Sequence, residues 1–272
     1  MDIVQRNFFN LLRTGAFDEK SVVEPMSSFK WNRLYQMVEA QGVADIFARG
    51  VRLHEGESGM NLPNDLKEII KRRYETQDLQ PSTSESSDFS LSNHLMNRRL
   101  QKIVYAERHS IDTSVETIRL LRIIVENIGI MLNKGMSLGG IINLGQYLRT
   151  KGDKVDFVKF EQWLKTLQLR RMAQLQGSIL IAVFGFEQEE LPFVEVQEPH
   201  AHKLTLNCVS DLAKDTAEEW HFRQTSTGFV RNNGAVLRRN LRRSIRYIAY
   251  SPIETTSNFA NNFIRSLSEI EE

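Results

Sequence analysis

Apolar residues recur every three or four positions between Leu95 and Leu132, a stretch far too long to be a strand. This spacing puts the apolar side chains on one face of an α-helix, so it predicts one long helix or two helices in succession. Asp112, Thr113 and Ser114 mark a possible break, because short oxygen-bearing side chains there can cap a new helix. The apolar positions are Leu95, Leu100, Ile103, Val104, Ile111, Val115, Ile118, Leu121, Ile124, Val125 and Ile128.

The same spacing predicts further helices on both sides of this stretch, with Gly15, Gly42 and Pro252 as helix stops. The chain has six Pro and 15 Gly in 272 residues, which is few, since a long all-β protein needs more turns. We therefore predict a mainly α fold, an irregular multi-helix bundle with little or no sheet. The predicted helices span residues 3–15, 28–42, 43–53, 65–74, 137–148, 157–167, 170–184, 204–221, 237–250 and 258–267.

A polar segment over residues 77–92 interrupts the helical pattern. It holds seven Ser or Thr and few large apolar side chains, so it buries too little apolar surface to offset the entropy of ordering it. The sequence thus predicts an N-terminal helical region over 1–76, a polar linker over 77–94 and a C-terminal helical domain over 95–272.

Charge and cysteine content narrow the possible compartments and partners. Lys and Arg number 35 against 34 Asp and Glu, so a nucleic acid or anionic partner must be recognised by a local patch. The single cysteine, Cys208, lies on an apolar stripe with Leu204 and Leu212, so we expect it to be buried and unreactive.

The start of the chain lacks the pattern of a signal peptide, and the most apolar stretch, 177–186, is far short of the ~20 residues of a membrane span. The sequence therefore predicts a cytoplasmic protein with no membrane span.

Short motifs follow one another in a set order in the C-terminal half. They are Gly135 to Leu138, Tyr147-Leu148, Val155-Asp156, Trp163-Leu164, Leu167 to Leu169, Phe184 to Phe186 and Glu189 to Phe193. In this order they resemble the C-terminal helical region of the uncharacterised nucleotidyltransferase family of bacteria. The opening stretch, from Phe8 to Leu12 through Trp31 to Gly42-Val43, is similar to that family's first helices.

The resemblance implies a catalytic centre with a Gly-rich turn and two carboxylates one residue apart on a strand. Alternate residues of a strand share a face, so such a pair can hold Mg²⁺ against nucleotide phosphates. No such pair set in an apolar strand occurs here, and the palm that carries it in the family would fall at the polar segment. Gly139 and Asn143 also stand where the family has an arginine and an aspartate.

We therefore expect a non-catalytic helical protein that lacks the palm and needs no cofactor. Its role would be binding, regulation or assembly, with a protein partner such as a complete relative.

One alternative keeps the enzyme, as an Mg²⁺-dependent nucleotidyltransferase acting on a nucleoside triphosphate. Lys134 with Gly135 can be aligned with the lysine-glycine turn of the family, and Asp153 with Asp156 can be aligned with its acidic strand. These aspartates are three residues apart, so on a strand they would point to opposite faces, and Asp156 is better explained as a helix cap. A strand at 153–158 would favour the enzyme, and a helix beginning at Asp156 would count against it.

Five arginines recur on one predicted helix near the C-terminus and form a basic face: Arg238, Arg239, Arg242, Arg243 and Arg246. An aliphatic stripe of Leu237, Leu241, Ile245 and Ile248 lies opposite. Guanidinium groups bind phosphate oxygens in paired geometry, so this face predicts binding of an anion, a nucleic acid or an anionic lipid headgroup. The alternative is a solvated face that forms salt bridges with Glu218, Glu219 or the acidic tail.

His200 and His202, with the distant His221, could supply three nitrogen ligands to Zn²⁺. One spacing without a cysteine or carboxylate signature is a weak signal, so we expect unrelated histidines and no metal site.

Overall fold

The computed structural model describes residues 1–57, 59–77, 89–110, 114–209 and 233–268. The side chains of 73–77, 233–237, 239 and 266–268 lie outside that description. Within these ranges the regular elements are all helices and there is no strand, so the predicted mainly α fold is confirmed. None of the described helices combines the length and apolar character needed to cross a bilayer.

The α-helices are α1 (Ile3–Phe17), α2 (Ser28–Gln41), α3 (Ala44–Leu53), α4 (Asn64–Gln77), α5 (His94–Arg108), α6 (Val115–Asn133), α7 (Leu138–Lys151), α8 (Phe157–Thr166), α9 (Arg170–Phe184), α10 (201–209), α11 (Asn233–Tyr247) and α12 (Pro252–Ser268). Two short 3₁₀ helices, Gly152–Lys154 and Gln188–Glu190, follow α7 and α9.

Two compact units divide these helices. The first contains α1 to α4 and α10 from His202 onward, and the second contains α5 to α9 with α11 and α12. Residues 78–88, most of the predicted linker, lie outside the described residues, so the linear division into 1–76, 77–94 and 95–272 stays a prediction.

In the first unit, α1 and α3 cross with their backbones in contact. A Cβ atom on Gly15 would overlap the carbonyl oxygen of Ile46, and one on Gly50 would overlap that of Leu11, so both positions need glycine. The prediction that Gly15 ends α1 is therefore wrong. The helix continues to Phe17, and Gly15 lies inside it, where the close contact with α3 requires a glycine.

The second unit is arranged around α6, which packs against α7, α8, α9, α11 and α12. Two buried amides link three of these helices. The Asn127 side chain donates to the Gly140 carbonyl and to Gln176 Oε1, both at 3.0 Å, and Gln176 donates to the Ile124 carbonyl at 3.2 Å. A buried amide without a hydrogen-bond partner would destabilise the fold, so this network fixes how α6, α7 and α9 pack together.

The break predicted within 95–132 is present, since α5 ends at Arg108 and α6 begins at Val115. Asp112 and Thr113 lie outside the described residues. The Ser114 hydroxyl does not cap α6 as predicted but pairs with the Thr117 hydroxyl, while the Ser114 N–H donates to Glu107 Oε1 at 2.7 Å. Here a carboxylate from the preceding helix replaces the expected local cap.

The last helix corrects another prediction. The helix that precedes Pro252 does end before it, at Tyr247, as predicted, but the last helix begins at Pro252 itself and not at Asn258. Proline suits the first position of a helix, because its fixed φ matches the helix and its missing N–H has no partner there.

A tyrosine–carboxylate pair ties α7 to the start of α6 and makes stability depend on pH. The Tyr147 hydroxyl lies 2.5 Å from Glu116 Oε2 and 2.9 Å from the Glu116 carbonyl oxygen. This hydrogen bond, with the charges of Arg119 and Lys151, lowers the pKa of Glu116 below its ordinary 4.5 although burial opposes the shift. Burial and the same carboxylate raise the pKa of Tyr147.

We expect Tyr147→Phe to lower the free energy of unfolding by about 1 to 2 kcal/mol at neutral pH, because it removes a hydrogen bond to an ionised group. A carboxylate with a lowered pKa in the folded state stabilises the fold above its unfolded pKa and loses that effect as it protonates. The difference from wild type should therefore narrow as pH falls below about 4.5. Urea unfolding across this pH range measures it.

Tyr105→Phe is the control, since that side chain is 68% exposed on α5, and it should leave stability unchanged. A Tyr147→Phe difference that stays constant down to acid pH would contradict this role of Glu116.

Candidate anion-binding surface

Two buried tyrosines, the last residue of α11 and one in the turn that follows it, fix the rotation of this helix. Tyr247 is fully buried and Tyr250 is 7% exposed. The Arg171 guanidinium lies 5.0 Å from the centre of the Tyr250 ring and donates to the Ala249 carbonyl at 2.8 Å. Large aromatic side chains contribute most to burial, so the face of α11 that carries Tyr247 packs inward.

The opposite side of α11, with Ile248 directly after its last residue, forms an outer surface, which we define as Arg238, Leu241, Arg242, Ile245 and Ile248. Both arginines are exposed, and the exposed fractions of the aliphatic side chains are 45% for Leu241, 65% for Ile245 and 42% for Ile248. An amphipathic helix ordinarily buries its aliphatic stripe. Here three side chains of that stripe, Leu241, Ile245 and Ile248, face solvent beside the two arginines.

The other predicted arginines take different positions. Arg243 is half-buried, and its Nη1 donates to the Asn133 carbonyl at the end of α6 at 2.5 Å. Arg246 is also half-buried. The side chain of Arg239 lies outside the described residues. The predicted basic face therefore divides into Arg238 and Arg242, which point to solvent, and Arg243, which attaches the helix to its own unit.

The charge on α11 favours an anion. Its sequence holds five arginines and no acidic residue. Arg238 and Arg242 are one turn apart, and like charges at this spacing repel each other by roughly 0.2–0.5 kcal/mol. An oxyanion held by both side chains would relieve this repulsion. Glu218, Glu219 and the tail 269–272, the predicted salt-bridge partners of these arginines, lie outside the described residues.

The residues of the catalytic alternative lie on separate helical elements. Lys134 is the exposed C-cap of α6, and Asp153 lies in the 3₁₀ helix after α7. Asp156 is the N-cap of α8, where its side chain accepts from the Lys159 N–H at 3.0 Å, so the predicted cap is confirmed. The strand that this alternative requires at 153–158 is not formed.

A carboxylate occupied in capping a helix does not fit the paired Mg²⁺ ligands of a nucleotidyltransferase. Among the residues that the structure describes, no group of three or more His, Cys, Asp or Glu side chains is arranged to hold a metal ion. His200 and His202 are exposed, and His221 lies outside the described residues. Cys208 is buried, with 3% of its surface exposed, as predicted.

A cleft of about 360 Å³ lies in the second unit beside the motifs of the family resemblance. Its lining includes Arg149, Asp153, Phe157 and Glu190. Arg149 is already engaged: it binds both carboxylate oxygens of Glu190, at 2.8 and 3.3 Å, and its guanidinium lies 4.0 Å from the centre of the Phe186 ring. The cleft therefore offers an internal ion pair where a ligand would need a free cation.

The Arg149–Glu190 pair was missed at the sequence level, because no spacing rule relates residues 41 positions apart. Burial tends to raise the pKa of Glu190, but the hydrogen bonds from Arg149 and the Glu187 N–H outweigh it and leave the pKa below its ordinary value. The ion pair is thus maintained at neutral pH.

A scan against protein-family models, a search of curated proteins and a search of solved structures each found no match to this chain. The resemblance to the uncharacterised nucleotidyltransferase family therefore stays a prediction.

Substitutions of Asp156 separate a cap from a metal ligand. We expect Asp156→Ala to lower the free energy of unfolding by about 1 kcal/mol, because it removes the hydrogen bond to a free N–H of α8. Asp156→Asn should retain most of that stability, since asparagine caps as well as aspartate does. Asp153→Ala, at an exposed position, is the control and should change stability by less than about 0.5 kcal/mol. Urea unfolding with and without Mg²⁺ measures all three.

Stabilisation of the wild type by Mg²⁺ that disappears in Asp156→Asn would contradict the capping role and favour the enzyme.

Proposed function

We propose that the protein is a non-catalytic binding protein that holds an anionic group of a partner on the outer surface of α11. The observation that carries this proposal is the exposure of Arg238 and Arg242 on adjacent turns of a helix that has no acidic residue. Guanidinium groups bind oxyanions through several N–H donors in a fixed plane, so two of them one turn apart suit a phosphate or a carboxylate.

The exposed positions of Arg238 and Arg242 favour a role in ligand binding over a role in stabilising the fold. A guanidinium used for stability finds a carboxylate or carbonyl, as Arg243 does with Asn133 and Arg171 does with Glu198 at 2.9 Å. Arg238 and Arg242 instead extend into solvent from a helix that is anchored elsewhere, by Tyr247. Because the backbone of this helix is already fixed, binding an anion needs to order only the two side chains.

The family resemblance supplies the broader role in this proposal. A chain with the accessory helices of a nucleotidyltransferase but no palm suits a regulator or assembly partner of a complete relative. The proposal includes a cytoplasmic location, which a single cysteine suits. The capping role of Asp156 supports a role without nucleotidyl transfer. The Mg²⁺-dependent enzyme stays the alternative, tested by calorimetric titration with ATP, CTP and UTP in Mg²⁺.

Binding of inorganic tripolyphosphate to the full chain tests the anion site. We expect the double variant Arg238→Gln/Arg242→Gln to bind it about tenfold or more weakly, the change that corresponds to ~1.4 kcal/mol for two charge-assisted contacts. Wild-type affinity should fall as salt is added, because the pairs are exposed and therefore screened. Isothermal titration calorimetry at two salt concentrations measures both effects.

The matched control is Arg98→Gln/Lys102→Gln, which removes two exposed cations at the same spacing from α5. It leaves the net charge equal to that of the test variant, so any general charge effect is common to both. Equal losses in the two double variants, or wild-type binding that salt does not change, would refute a site on α11.

A further inference from the structure

The outer surface of α11 exposes aliphatic side chains as well as arginines. Leu241, Ile245 and Ile248 recur at i, i+4 and i+7 and are all substantially exposed. They run beside Arg238 and Arg242 along the same side of the helix. Exposed apolar side chains scattered singly are ordinary, but a row of them edged by cations is typical of an interaction surface.

The neighbouring helix α12 adds exposed apolar side chains. α12 packs against α11 and exposes Phe263 at 39% and Ile264 at 64%. The Phe263 ring stacks on Phe259 with a centroid distance of 6.4 Å. Two neighbouring helices therefore present aliphatic and aromatic side chains to solvent in the same unit.

The combination of charged and apolar side chains limits which class of partner can bind this surface. A soluble polyphosphate or a nucleic-acid backbone would bind the two arginines and leave the aliphatic row in water. An anionic bilayer surface satisfies both, because headgroup phosphates pair with arginine while the aliphatic side chains enter the boundary between headgroups and acyl chains. An amphipathic helix of low overall hydrophobicity, basic on one side and aliphatic on the other, is the usual form of such a contact.

The anchoring of α11 also fits this use. Burial of Tyr247 and the Arg243–Asn133 hydrogen bond hold the helix on its unit by its inner side. The outer surface is therefore presented without any unfolding or release of the helix, so contact with a flat surface needs no conformational change.

We propose that the outer surface of α11 binds an anionic membrane surface, with Arg238 and Arg242 on lipid phosphates and Leu241 and Ile245 inserted at the headgroup boundary. This inference rests on the proposed function, since it names the source of the anion that the arginines bind. It makes the protein peripheral to the membrane, lying on one face of the bilayer.

The test is co-sedimentation of the full chain with two kinds of vesicle, phosphatidylcholine alone and an equal mixture of phosphatidylcholine and phosphatidylglycerol. We expect binding to the anionic vesicles and little to the neutral ones. Arg238→Gln/Arg242→Gln should weaken it about tenfold or more, because each basic side chain near an anionic surface contributes about fivefold in affinity.

The decisive variant is Leu241→Ser/Ile245→Ser, which replaces side chains that are 45% and 65% exposed, and circular dichroism with urea unfolding checks that the variant is folded. It should weaken binding to anionic vesicles by about tenfold or more, since inserted aliphatic groups supply much of the affinity, and leave tripolyphosphate binding unchanged. Val158→Ser, which removes a 71% exposed aliphatic side chain from α8, is the control and should bind as wild type does.

The outcomes separate the two proposals. Vesicle binding that survives Leu241→Ser/Ile245→Ser would overturn membrane insertion, and so would tight binding of duplex DNA by a wild-type protein that leaves vesicles alone. In either case retained tripolyphosphate binding that needs Arg238 and Arg242 keeps the proposed function. If the wild-type protein binds neither the anionic vesicles nor tripolyphosphate, both the proposed function and the membrane inference are refuted.

Discussion

Burial of Tyr247 decides which side of α11 faces solvent. A helix with arginines on one side and aliphatic residues on another can pack in more than one rotation, and the side chain that gains most from burial decides between them. Tyr247 is fully buried and Tyr250 nearly so, with Arg171 placed over the Tyr250 ring. Once those rings point inward, geometry directs Ile245 to solvent.

The base beneath α11 is held by polar contacts at the end of α6. The Asn133 side chain accepts from Asn258 at 3.0 Å and from Asn262 at 2.9 Å, while its carbonyl accepts from Arg243. One residue at the end of the central helix therefore receives both α11 and α12. The candidate surface is carried by regular helices, whose positions are defined more closely than those of loops.

Glu254 secures the start of α12 in a similar way. This carboxylate is 3% exposed and accepts from the N–H groups of Ser92 at 2.5 Å and Asn93 at 3.1 Å, at the start of α5. It also lies in the first turn of α12. A negative charge between the N-termini of two helices is stabilised by both dipoles, which explains how it is tolerated in a buried position.

Much of the fold could be predicted from the sequence, because helix periodicity and caps are local signals. The N-cap of α8 at Asp156 and the C-cap of α2 at Gly42, with φ of 63°, follow from the chemistry of single residues. The role of Gly15 was missed because it depends on contact with another helix, α3. Such a contact produces no periodic pattern in the sequence of α1. The Arg149–Glu190 pair was missed for the same reason.

The candidate surface was predictable only in part. The spacing of Arg238 and Arg242 indicated a basic face, and the spacing of Leu241 and Ile245 indicated a separate aliphatic stripe. Periodicity fixes which residues share a side of a helix but leaves open which side meets the core. That choice was made by Tyr247, a residue on neither stripe, through contacts with a unit assembled from distant parts of the chain.

The thiol reactivity of Ile245→Cys tests the orientation of α11 most directly. The chain has one cysteine, Cys208, and it is buried, so the background reaction with a maleimide or disulfide reagent is slow in the folded protein. Because Ile245 is 65% exposed, we expect one additional thiol that reacts at nearly the rate of an unfolded control. A thiol at position 245 as slow as Cys208 would mean that this side of α11 packs inward, and would contradict both proposals.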